Sequence, residues 1–69
     1  MDGSLLVRKI NLEIKSLETE GYRRIGEVSM FGVYIYHMYH QQNRNSIMLK
    51  VYKNFAVIEK NKKVVKVIK

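Results

Sequence analysis

The chain has no cysteine and no proline, only four glycines, and six acidic residues against thirteen lysines and arginines. Without cysteine there is no disulfide, no thiolate zinc site and no Cys nucleophile, so 69 residues must be held by packing alone. Without proline, the punctuation of the chain falls to Gly and Asn. No stretch approaches the roughly 20 apolar residues of a membrane span. The start, Met1 to Lys9, places Asp2 where a secretory signal has basic residues and contains only three consecutive apolar ones, Leu5 to Val7. These absences point to a cytoplasmic protein outside the membrane. Catalytic signatures are missing too: Ser4, Ser16, Ser29 and Ser46 sit in no nucleophile motif, the glycines form no phosphate loop and the acids are scattered. Neither enzymatic activity nor a cofactor is expected.

What is present is positive charge, and it is unevenly spread. The net charge is +7; residues 1–21 contribute −1, residues 22–49 contribute +2, and from Lys50 onward seven lysines against Glu59 contribute +6. A segregated basic segment is an electrostatic footprint for a polyanion, so nucleic acid, DNA or RNA, is the expected partner. A chain this short buries only about 60% of its unfolded surface, so association with a second copy or a protein partner would help it.

Local patterns predict one domain over residues 1–69. Ser4 suits an N-cap, and Leu6, Val7, Ile10, Ile14 and Leu17 recur three or four apart, which predicts a helix over about 4–20. Gly21 reads as the C′ residue of a Schellman motif, with Tyr22 placed to pack on Leu17. The rival pattern, Ile10, Leu12 and Ile14 as an alternating strand, leaves Val7 and Leu17 unexplained. Beyond Gly21 the chain alternates. A first strand over 22–31 contains Gly26, a signal of a bulge. Gly32 leads into Val33 to His40, too β-branched and Tyr-rich for a helix. The polar run Gln41 to Ser46 suits a hairpin loop, and Ile47 to Tyr52 alternates again.

The last third permits a register test. If Lys53-Asn54 and Asn61-Lys62 are two-residue turns, Val51 faces Ala56, Leu49 faces Ile58, Ile58 faces Val65 and Ala56 faces Val67, all apolar. The other side pairs Met48 with Glu59 and then Val64, and Lys50 with Val57 and then Lys66. The expected fold is α+β: an N-terminal amphipathic helix on one face of a four- or five-stranded antiparallel meander over about 22–68, with a small β-barrel bearing a short helix as the alternative.

The face away from the helix is then expected to present Tyr34, Tyr36, Met48, Lys50, Tyr52 and Lys66, with Met38, His40 and Arg24 at its margin. Rings interleaved with cations are what single-stranded nucleic acid requires. Lys53, Lys62 and Lys63 of the C-terminal hairpins, Arg23 and Arg24 after the helix, and Arg44 at a loop tip complete the candidate nucleic-acid-binding set. The same face could instead be covered by a homodimer partner or another protein, for example as an inhibitor or adaptor. His37 and His40 are three apart on a strand and point to opposite faces, so no metal site is expected. Glu59, beside Lys60 and close to Lys62, reads as an ion pair at a strand end. Gly21-Tyr22 to Phe31 followed by Val51 to Ala56 is similar to fragments of the Sm-like RNA-binding barrels, a likeness that would imply a ring of subunits and an RNA ligand. Asn54 stands where that family has a His and Gly32 where it has an Asp, and the stretch between the segments is longer. On those departures no family is assigned.

Overall fold

The computed structural model describes residues 2–69, with side chains from Leu5 onward. One helix, α1 (Asp2–Glu20), packs against a sheet of β1 (Tyr22–Met30), β2 (Val33–His40), β3 (Asn45–Val51), β4 (Ala56–Lys60) and β5 (Lys63–Ile68). The strands follow one another in order, every pair is antiparallel, and β1 and β5 remain edges, so the sheet is open and the barrel alternative does not hold. Among the described residues, no helix is long and apolar enough to cross a membrane.

The helix arises from its stripe. Ile10, Ile14 and Leu17 are buried and Leu6 is half-buried against them, as three-and-four spacing requires. Val7 departs from the expected stripe and stays exposed at its side. The helix begins ahead of the expected start at Ser4, whose capping role lies outside the described side chains. Its end is where Gly21 predicts it. Gly21 adopts φ 113, and its N–H donates to the Glu18 carbonyl at 3.1 Å, one of the two bonds of a Schellman motif. Tyr22 then enters the same core cluster as Leu17.

Three hairpins have two-residue connections in their register. Phe31-Gly32 and Asn61-Lys62 both carry positive φ at each position, the type I′ geometry whose twist matches that of paired strands. Lys53-Asn54 also sets Val51 opposite Ala56, but without positive φ, and is closed by the Tyr52 N–H donating to the Phe55 carbonyl at 2.8 Å. The β2–β3 connection is a four-residue loop, Gln41 to Arg44, shorter than the six residues read from the sequence, with His40 opposite Asn45. Ile25 forms the bulge expected near Gly26, since Arg24 faces Met38 and Gly26 faces His37.

The register test holds through Val51, Leu49, Met48 and Lys50 and, past the last turn, for Glu59 with Val64; it fails after that pair, where Val57 faces Val67 instead of Lys66. A bulge opposite the Ile58–Glu59 step takes up Val65, so Ile58 faces Lys66 instead of Val65, and Ala56 faces Ile68 instead of Val67. Lys66 is thereby turned to the helix side, where its ammonium meets Glu13 at 2.7 Å. The core lies between α1 and the sheet, centred on Met38 and Leu49, both fully buried.

Candidate functional site

Residues directly opposite in a sheet share a face. The register therefore sorts every candidate. The helix side carries the rows Ser29–Tyr34–Val51–Ala56–Ile68, Glu27–Tyr36–Leu49–Ile58–Lys66 and Arg24–Met38–Ile47–Lys60–Lys63. The open side carries Val28–Ile35–Lys50–Val57–Val67, Gly26–His37–Met48–Glu59–Val64, and the shorter Met30–Val33 and Arg23–Tyr39–Ser46. The mixed tyrosine–lysine face expected from the sequence is thus divided. Tyr34, Tyr36, Met38, His40, Arg24 and Lys66 are on the helix side, and Met48 and Lys50 are on the other. The cause is parity: with His40 opposite Asn45, even-numbered residues of β2 stand beside odd-numbered residues of β3.

On the helix side, four candidates and neighbours form one cluster beside α1. The Arg24 guanidinium lies 5.5 Å from the centre of the Tyr36 ring and 2.9 Å from Glu27, and the Tyr34 hydroxyl donates to the same carboxylate at 2.7 Å. Tyr34 and Tyr36 are 4.8 Å apart by ring centres. The hydrogen bond to Glu27, followed by burial and the carboxylate charge, holds the Tyr34 hydroxyl above its ordinary pKa of 10.0. A groove of about 240 Å³ runs between these rings and Val7, Ile10 and Asn11 of α1. Arg24 and both tyrosines thus satisfy one another.

His40 is buried at the junction of helix and sheet. Its Nδ1 accepts from the Asn43 N–H at 3.2 Å, which leaves the proton on Nε2 to donate to the Glu20 carbonyl at 2.9 Å. The ring also meets Tyr22 edge-on at 5.1 Å. His37 lies on the opposite face, and among the described residues no three potential metal ligands converge.

The open side is mainly aliphatic. Val28, Met30, Met48, Val64 and Val67 are exposed, and Val57 is buried although no helix covers it. At its centre Lys50 pairs with Glu59 at 3.0 Å across β3–β4, with both side chains about one-quarter exposed. Glu59 therefore serves Lys50 rather than Lys60 or Lys62. A cleft of about 330 Å³ lined by His37, Ser46, Ile47, Met48, Glu59, Asn61 and Lys62 leads from this face to the last turn.

The remaining candidates fall at the two ends of the sheet. Lys53 is on the β3–β4 turn, flanked by Tyr52 and Phe55 stacked at 4.7 Å. Arg44, with φ 57, and Lys62 and Lys63 lie at the opposite end, on adjacent connections. Lys60 joins them there as a residue the sequence reading did not single out; its signal is its place directly before a two-residue turn, which sets it across from Lys63. Arg23 is exposed on the open side near this end. No family model matches the chain, and neither a curated protein nor a solved structure shows significant similarity to it.

Proposed function

We propose that this chain is an interaction module that docks through the open side of its sheet, and that its partner is a second copy of itself. The carrying observation is the row Val28–Ile35–Lys50–Val57–Val67, which runs across all five strands with no helix over it. Sheets that expose one face to water alternate apolar and polar sides, whereas here the uncovered side leaves Val28, Met30, Met48, Val64 and Val67 exposed. Charge supports a like partner. In a molecule of net charge +7, this face carries Arg23 and Lys62 only at its margins and one internally neutral pair, Lys50–Glu59, at its centre. Two such faces can meet without burying an unpaired ion.

Size is adequate as well. Five strands at about 4.8 Å spacing and about 20 Å length give a face of about 500 Å² in projection. With side-chain relief this approaches the roughly 800 Å² per partner of a standard interface. Stacked sheets would lie about 10 Å apart, with a helix on each outer side.

The test is solution mass by light scattering. The wild-type chain is expected to be a dimer that resists high salt, and Val28→Lys with Val67→Lys to be a folded monomer. A wild-type monomer at roughly 1 mM, where even about 4 kcal/mol of association free energy would show, removes the proposal.

A further inference from the structure

We propose that the β4–β5 hairpin, with Arg44 beside it, is a docking tip for the phosphate backbone of a nucleic-acid duplex. Lys60 and Lys63 stand directly opposite each other, and like charges so placed repel. Lys62 sits in the turn between them at φ 65, a backbone state that a lysine rarely adopts and a glycine adopts freely. Three of the acids that could relieve this repulsion are engaged elsewhere. Glu59 holds Lys50, Glu13 holds Lys66 and Glu27 holds Arg24. Glu18 and Glu20 are at this end of the sheet too, but line a hollow with Arg23, His40, Gln41 and Gln42 beside β1 and β2, across the sheet from the last hairpin.

The neighbouring connection adds a fourth cation. Ile47 faces Lys60, so Arg44 and Asn45 leave the sheet at the same end as Asn61 and Lys62. Four positive groups therefore crown two short loops on strands about 4.8 Å apart. Nothing within the described residues neutralises them by an ion pair, and an external polyanion would.

The ligand class follows from what the tip holds. Neither Gln41 to Arg44 nor Asn61-Lys62 contains an aromatic ring, Tyr34 and Tyr36 are on the helix side, and Tyr39 is half-buried on the open side opposite Ser46, so the two loops themselves offer no platform for base stacking. Ammonium groups contact phosphates without reading sequence. Lys60 and Lys63 belong to a helix-side row, so covering the opposite side leaves them accessible, while Lys62 stands at the mouth of the cleft that opens from that side.

The experiment is fluorescence anisotropy of the full chain with a labelled DNA duplex of about 20 base pairs over a salt series. Lys62→Glu with Lys63→Glu is expected to weaken binding about 100-fold in dilute buffer and to reduce the log–log salt slope by about 1.8, the share of two phosphates. Lys62→Gly, which suits the turn and cannot be faulted for misfolding, should lose about tenfold. Lys53→Glu with Lys69→Glu makes the same charge change away from the tip and should keep most of the affinity. Three results overturn the proposal: equal loss in both double variants, no duplex binding by the wild type in dilute buffer, or tighter tip-dependent attachment to phosphatidylserine vesicles than to DNA. Light scattering on the same samples separates this test from that of the open face: loss of duplex binding at unchanged mass belongs to the tip alone.

Discussion

Gly21 and His40 together decide how the helix is tied to the sheet. A Cβ on Gly21 would lie 2.6 Å from His40 Nε2, and φ 113 already disfavours any side chain. Gly21→Ala is expected to cost about 2 kcal/mol in urea unfolding. Combining it with His40→Ala should recover the steric part of that cost and leave the backbone part, a coupling that a double-mutant cycle measures. The glycine was legible in the sequence from its place after a helical stripe; its histidine partner was not, because nothing local joins positions 21 and 40. Tyr34 offers a second reading at this scale. Its folded-state pKa is raised above the ordinary 10.0 by the bond to Glu27. The raised group lends its stability fully below the unfolded value and loses it as pH climbs through the folded one. The advantage of wild type over Tyr34→Phe should therefore hold up to the ordinary value of 10.0 and shrink as pH rises above it, read from urea midpoints. A constant difference would show that the hydroxyl is not protected.

Among the elements, the turns carry the most information. Type I′ turns favour Asn-Gly, and the last hairpin has Asn61 followed by a lysine. Lys62→Gly should raise stability by about 1 kcal/mol, seen as a higher thermal midpoint, while weakening duplex binding. An unchanged or lower midpoint would mean that the left-handed lysine carries no strain. Loop parity was also there to be read. Either four or six residues between β2 and β3 set Tyr36 on the side of Leu49, so the division of tyrosines from Met48 and Lys50 follows from counting. The bulge at Val65 is different. Val64-Val65-Lys66-Val67 alternates well enough in either register, and only docking against α1 selects the one that brings Lys66 to Glu13.

For the whole molecule, the seven lysines of the last third are not one patch. Lys50 is in the open face, Lys66 is under the helix's flank, Lys53 and Lys69 are at one end, and Lys60, Lys62 and Lys63 are at the other. Their closeness in sequence survives only at the hairpin, since alternate residues of a strand point apart and each turn reverses direction. The sequence by itself determined the helix with its glycine stop, the antiparallel meander, two of its tight turns and the apolar pairs up to the last hairpin. These rest on spacing and backbone preference, which act over a few residues. Tertiary structure alone decided which side of the sheet the helix covers, which lysines are neutralised and which side stays bare. Those outcomes depend on groups brought together from distant positions, such as Glu13 with Lys66 and Glu20 with His40, and the burial of one face settles them for all five strands together.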